Sequence, residues 1–240
     1  MGGQDIVQSY VFSDAVKHFW TTRQQQSQSQ QNRGTIDQGS RSAVTGGRQM
    51  DGFVETISRL VVQAGVSPAN IHTHTNLELP GFYRPTKEWD VVVVDNGHLV
   101  AAIECKSQVG PSFGNNFNNR TEEAMGSALD IWTAYREGAF SSSPAPWLGY
   151  LLLVEDTEKS QSPVRTREPH FSVFPEFKNA SYARRYELFC RKLVRERQYS
   201  AACFLLSSKD HSVLRENYVE PATDLSAGDF LSQLVRHVSK

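Results

Sequence analysis

The clearest periodic signal in the chain is β. Residues 89–94 and 99–106, WDVVVV and LVAAIECK, are nearly unbroken apolar runs joined by Asp95-Asn96-Gly97-His98. Asn-Gly between apolar runs predicts a tight hairpin, because the central residues of such a turn need positive φ. Trp147 to Val154 is continuously apolar and predicts a strand inside a sheet, buried on both faces. Ala201 to Leu206 reads the same way, and residues 71–79 alternate weakly, as one more strand would. Elsewhere the spacing is helical. Ile6, Val7, Tyr10, Val11 and Phe19 recur over residues 5–20. Phe53, Ile57, Leu60, Val61 and Ala64 share one face of a helix from Met50 to Ala64 that Gly65 stops. Ala124, Ala128, Ile131, Trp132 and Tyr135 do so over residues 121–137, with Gly138 closing the helix. Ser181 is placed to cap a helix to about Gln198, and Phe230 to Val238 is a last short one. Residues 155–180 look irregular. The order helix, hairpin, helix, strand, helix, strand predicts an α/β fold, a mixed β-sheet flanked by helices.

One stretch breaks the pattern. The tract from about 21 to 49 is rich in Gln, Ser and Gly and has almost nothing to bury. It is expected to be a mobile polar loop within a single domain spanning residues 1–240. Arg23, Arg33 and Arg41 in it fit a solvated linker better than a set of phosphate contacts.

Composition narrows the class without choosing a function. The 240 residues are 39% hydrophobic and 21% charged, ordinary values for a globular chain with one sizeable core. Net charge is -1, from 25 basic and 26 acidic residues, which gives no general attraction to nucleic acid and leaves room for a local basic face. The three cysteines, Cys105, Cys190 and Cys203, match no zinc spacing and read as buried thiols of a reducing compartment. The longest aliphatic runs are far too short to span a bilayer. A soluble cytoplasmic protein is expected.

Chemistry concentrates in the hairpin. Asp90 opens one run, and Glu104-Cys105-Lys106 ends the other. Charges at the ends of otherwise apolar strands are costly unless they are used. An Asp followed by Glu-x-Lys is the arrangement of PD-(D/E)XK nucleases, in which phosphodiester hydrolysis relies on a metal that neutralises charge and activates water. Magnesium favours oxygen ligands. Asp90, Glu104 and the backbone carbonyl of Cys105 are its candidate ligands, and Lys106, two residues past Glu104, falls on the same strand face. Asp90, Glu104 and Lys106 are therefore the candidate catalytic residues. Register decides whether this works. With a two-residue Asn96-Gly97 loop, Asp90 opposes Ile103 and the two carboxylates lie on opposite faces. A three-residue loop, or a two-residue loop with an added bulge, brings them to one face. Both faces are apolar, so the hydrophobic pattern cannot choose.

Four segments go further. GGRQMDGF, LPGFYRPTKEWDVVV, GPSFGNNFNNRTEEA and SYARRYE resemble the XhoI-type restriction endonucleases, over about Gly46 to Leu206. The resemblance implies the restriction-endonuclease-like fold. It also implies a magnesium-dependent type II enzyme that cuts double-stranded DNA at CTCGAG and leaves 5′ overhangs, with a companion methyltransferase in the host. Trp89 stands where the wider nuclease superfamily has the Pro of its "PD". A palindromic site favours a homodimer. A structure-specific nuclease and a non-catalytic DNA-binding module on the same fold are the alternatives.

Asn115, Asn116, Asn118, Asn119 and Arg120 are candidates for base contacts, since Asn can read adenine and Arg guanine bidentately. They are expected in a loop, where one or two would cap the following helix. Arg184, Arg185, Arg191, Lys192, Arg195 and Arg197 make a second basic candidate, equally readable as a solvated face. His72 and His74 have no third metal ligand nearby, and Asp51 and Glu55 read as surface residues.

Overall fold

The structure is a computed structural model that describes residues 10–32 and 47–239. Its centre is a five-stranded mixed sheet in the order β1-β4-β5-β6-β7, formed by β1 (Ile71–His72), β4 (Val91–Asp95), β5 (His98–Gln108), β6 (Trp147–Glu155) and β7 (Ala201–Ser207). β1, β4 and β5 run antiparallel to their neighbours, whereas β5, β6 and β7 are parallel. Parallel neighbours require crossovers. These are α3 (Phe113–Arg136) between β5 and β6, and α4 (Glu158–Gln161) with α5 (Tyr182–Arg195) between β6 and β7. The expected strand over 71–79 is split. Only Ile71 and His72 join the main sheet, while β2 (Glu78–Pro80) pairs with β3 (Thr86–Glu88) in a separate two-stranded ribbon.

Alternation along the strands sends side chains into two cores. On one face, α1 (Ser13–Asn32), α2 (Asp51–Gln63) and α6 (Ala227–Val238) pack Phe19, Phe53, Ile57 and Phe230 against Val91, Val93, Ile103 and Leu151. On the other, α3 and α5 pack Ala124, Ile131, Tyr186 and Phe189 against Val92, Ala102, Tyr150 and Phe204. Helices α5 and α6 both start on a serine cap. Ser181 Oγ accepts the Arg184 N–H, and Ser226 Oγ accepts that of Asp229.

Two expectations need correction. The polar tract does not begin with a loop, because α1 continues through its Gln-rich part to Asn32. Phe12, Val16, Phe19 and Trp20 anchor the first turns, and Gln and Arg then propagate a helix at little cost. Arg23 donates to Gln49 at 3.1 Å, tying the helix to the segment before α2. The remainder of the tract, with Arg33 and Arg41, lies outside the described residues. The second correction is that the Asn-rich segment is helical, since α3 begins at Phe113. Phe113 and Phe117, one turn apart, stack on Tyr182 and Tyr186 of α5, and that packing outweighs the poor helix propensity of Gly and Asn.

Candidate active site

The hairpin resolves the register question through a bulge. Asn96 (φ 49°) and Gly97 (φ 77°) both adopt positive φ, and Asp95 faces His98, so the loop has two residues. Left uncorrected, that loop would put Asp90 and Glu104 on opposite faces. Between Val93 and Val94 the register shifts by one residue, from Val94↔Leu99 to Val93↔Ala101. Val91 then faces Ile103, so the next position, Asp90, falls beside Glu104.

Lys106 joins them. Its Nζ lies 3.0 Å from Glu104 Oε1 and 3.6 Å from Asp90 Oδ2. Three of the four residues expected at the site, Asp90, Glu104 and Lys106, therefore meet through side chains. The fourth, Cys105, contributes its backbone. Its N–H donates to Asp90 Oδ2 at 2.7 Å, past the start of β4. In an extended strand the N–H and C=O of one residue point to the same side. The Cys105 carbonyl thus faces the Asp90 side, while its thiol is buried in the opposite core and pushed well up in pKa by that burial. Two carboxylates and one carbonyl are an all-oxygen donor set, which suits a hard divalent cation. Among the described residues no cluster holds three or more His, Cys, Asp or Glu side chains, so any ion here needs backbone, water or substrate oxygens as well.

Two further residues complete the site. Lys87 Nζ lies 3.1 Å from Glu104 Oε1 and packs 4.3 Å from the centre of the Trp89 ring. The Tyr199 hydroxyl lies 3.1 Å from Glu104 Oε2. Glu104 is only 3% exposed, and burial alone would raise its pKa. Lys106 and Lys87 reverse that and hold it below the ordinary value. Burial likewise lowers Lys87, whereas for Lys106 the attraction of Glu104 and Asp90 wins and its pKa is raised. Lys87 carried no signal that placed it here. Alternation through Lys87, Trp89 and Val91 points it away from the face of Asp90, and it reaches Glu104 because β3 lies outside the main sheet. Tyr199 is far away in sequence and left no local sign.

Of these groups, Lys87, Glu104 and Lys106 line a cleft of about 700 Å³ whose other wall is α3, from Arg120 to Asp130. Its rim is the turn between β2 and β3. Asp130 Oδ1 accepts the N–H groups of Phe82 and Tyr83 at 2.7 and 2.8 Å, and its Oδ2 accepts Arg84 Nε at 2.7 Å. Gly81 leaves room for this, since a Cβ there would lie 2.6 Å from Asp130 Oδ2. Phe82 and Tyr83 are held outward, 52% and 67% exposed.

Of the candidate base readers, Asn115, Asn118 and Asn119 are exposed on the outer face of α3, and Asn116 is half-buried. They sit within the helix, so none serves in the turn before it, and Ser112 at the N-cap makes no side-chain cap bond. Arg120 lines the cleft and pairs with Glu123 at 2.5 Å. The basic helix α5 is different. Arg184 and Arg191 bind Glu187, Arg191 also binds Asp224, Lys192 binds Glu176, and Arg185 donates to the carbonyls of Ala180 and Val164. Most of its cations are thus committed within the molecule. His72 lies on the edge strand β1 and His74 in the exposed bend after it. The three cysteines are free and buried, and among the described residues no helix is long and apolar enough to cross a membrane.

A mixed sheet that carries Asp and Glu-x-Lys at the mouth of a cleft defines the class of metal-assisted nucleases. The comparisons narrow it. The family model of restriction endonuclease XhoI matches residues 29–219. The chain is 56% identical over 208 residues to the type II restriction enzyme BstVI of Geobacillus stearothermophilus, covering 85% of this chain and 92% of that one. It is 53% identical over 181 residues to XhoI of Xanthomonas vasicola (75% and 72% covered), and 50% identical over 159 residues to AbrI of Azospirillum brasilense (66% and 71% covered). No solved structure matches. The chain belongs to the XhoI family of type II restriction endonucleases, enzymes that hydrolyse double-stranded DNA at specific sites with the help of a divalent metal. The resolvase-like and non-catalytic alternatives fall with that membership.

Proposed function

We propose that this enzyme is a magnesium-dependent homodimer that cuts CTCGAG, with Asp90, Glu104 and Lys106 as its catalytic residues. The observation that carries the reading is Lys106 Nζ seated within reach of both carboxylates at the open end of β5. Asp90, Glu104 and the Cys105 carbonyl would hold the ion, which when bound would neutralise phosphate charge and favour hydroxide from a coordinated water. The chain's own groups do the rest. The Cys105 N–H fixes the Asp90 carboxylate, and Tyr199 fixes that of Glu104. Lys106 orients the attacking water and offsets phosphate charge, and Lys87 adds a second positive centre. The preference for CTCGAG is supported by the likeness to XhoI. Two copies related by a two-fold axis would match a palindrome, with Asn115, Asn116, Asn118, Asn119 and Arg120 directed at the bases and a methyltransferase protecting host DNA.

The test is digestion of two plasmids that differ only in a CTCGAG site, in magnesium, by the wild-type enzyme and by Asp90→Ala. Wild type should linearise only the plasmid with the site, with 5′ overhangs on sequencing, and Asp90→Ala should cut neither. Cutting of both plasmids at common positions would refute the assigned site, and cutting by Asp90→Ala would remove that residue from catalysis.

A further inference from the structure

The helix glycines among the described residues differ in what surrounds them. At Gly52 a Cβ would lie 2.9 Å from the Ala15 Cα, and at Gly114 it would lie 2.6 Å from the Tyr182 hydroxyl. Neighbouring atoms of the protein explain both. Gly126, in the middle of α3, has nothing within 4 Å of where a Cβ would stand. A glycine in a helix interior weakens the helix relative to alanine because it frees the unfolded backbone. Gly228, at the start of α6, is nearly as open, with only the Ser226 Oγ at 4.0 Å, so openness alone marks no site; Gly126 differs in standing mid-helix on a cleft.

Gly126 lines the same cleft as Glu104 and Lys106, together with the cations Arg84, Lys87 and Arg120. Of the three acidic residues on this wall, Asp130 is paired with Arg84, Glu123 is paired with Arg120, and Glu122 is exposed. Gly126 is exposed and continues the outer face of α3 that begins with Asn115, Asn118 and Asn119, at helical spacing through Glu122. The turn that Asp130 pins to α3 also lines the cleft, through Tyr83 and Arg84. Each of these cations is ion-paired within the chain, so net charge does not single the cleft out. What favours a nucleic-acid strand here is position: Gly126 exposes helix backbone on the same cleft that holds Glu104 and Lys106.

We propose that Gly126 is the point where the sugar–phosphate backbone of the cut strand passes against the backbone of α3, and that it is a positioning residue which sets the depth of the strand over Lys106. The proposal rests on the nuclease reading of this cleft. A side chain at 126 would hold the strand away from the reacting groups.

Two variants test it because they should move stability and binding in opposite directions. Gly126→Ala should raise the Tm of the free protein by about 2–4 °C. Gly126→Leu should keep at least the wild-type Tm and weaken binding to a CTCGAG duplex about tenfold or more. Binding is measured in the Asp90→Ala background, where cleavage cannot interfere, and cleavage in the otherwise wild-type enzyme, where kcat for the Leu variant should fall as well. A lower Tm for Gly126→Ala would mean that the fold itself needs the glycine, and would overturn the proposal. Wild-type binding and cleavage by Gly126→Leu would overturn it too. So would loss of self-association in sedimentation with DNA affinity intact, which would assign this face to a second copy of the chain. Failure of the nuclease reading would show elsewhere, as cleavage that survives Asp90→Ala.

Discussion

On the α1/α2/α6 side of the sheet, Val91, Val93, Ile103 and Leu151 meet Phe19, Phe53, Ile57 and Phe230. On the α3/α5 side the same strands present Ala102, Glu104 and Tyr150 to helices that carry Asp130 and Glu187. All three buried carboxylates among the described residues lie on this second side. Each is satisfied: Glu104 by two lysines and a tyrosine, Asp130 by an arginine and two N–H groups, Glu187 by two arginines. Buried charge is weak evidence for stability, since desolvation offsets much of the attraction, and it is strongly unfavourable when one partner is removed. One side of the sheet therefore holds the fold together, and the other holds charged groups in fixed positions.

The contrast is broken most directly by exchanging symptoms between the sides. Glu104→Gln keeps the shape of the side chain and removes its charge. It should lower cleavage of a CTCGAG duplex by at least about a thousandfold, about 4 kcal/mol of transition-state stabilisation, with the protein still folded by circular dichroism. Phe53→Ala empties a fully buried site in the opposite core. It should cost about 3–5 kcal/mol in urea unfolding, while the fraction that remains folded cuts at near the wild-type rate. An unfolded Glu104→Gln, or a well-folded but inactive Phe53→Ala, would end the division.

A smaller effect sharpens it. Asp130 serves neither the sheet nor the reaction directly. It holds the Phe82–Arg84 turn against α3. Burial raises its pKa, but the Tyr83 N–H, the Arg84 side chain and the Phe82 N–H together bring it below the ordinary carboxylate value. A depressed folded-state pKa contributes stability that is present above the unfolded value, about 4, and is lost as pH falls through the lower folded value. Asp130→Asn should cost about 1–3 kcal/mol at neutral pH and flatten the stability profile below about pH 4. An unchanged profile would show that the turn is held by other means.

What the sequence made legible follows the range of the physics involved. The hairpin and the cores of the flanking helices rest on local periodicity and turn chemistry, although the first helix, expected over 5–20, runs Ser13–Asn32, and residues 5–9 lie outside the described ones. The register was not legible, because Val91–Val94 and Leu99–Ile103 are apolar on both faces, and a bulge between Val93 and Val94 leaves no mark in such a run. The start of α3 was hidden by Gly114 and four asparagines, although Phe113 and Phe117 were one turn apart and marked its buried side. Lys87 and Tyr199 reach Glu104 from 17 and 95 residues away. Charge counting left α5 open between a phosphate track and a solvated face, because the acids that pair with it, Glu176, Glu187 and Asp224, are brought to it partly by the tertiary fold.

The smallest expected effect discriminates within the α3/α5 side itself. Tyr150 and Tyr199 stand beside each other, with ring centres 5.3 Å apart, and both are buried. The Tyr199 hydroxyl lies 3.1 Å from Glu104 Oε2 and 3.2 Å from the Ala124 carbonyl, whereas the Tyr150 hydroxyl has no hydrogen-bond partner. A buried polar atom without a partner costs free energy that its removal returns. Tyr150→Phe should therefore leave stability within about 0.5 kcal/mol of wild type or raise it, and should leave cleavage unchanged. Tyr199→Phe deletes an atom of the same kind but strips a donor from a buried carboxylate, so it should cost about 1–3 kcal/mol and slow cleavage by loosening Glu104. Equal losses from the two substitutions would mean that packing of the phenol rings, rather than the hydroxyl on Glu104, is what this side of the sheet uses.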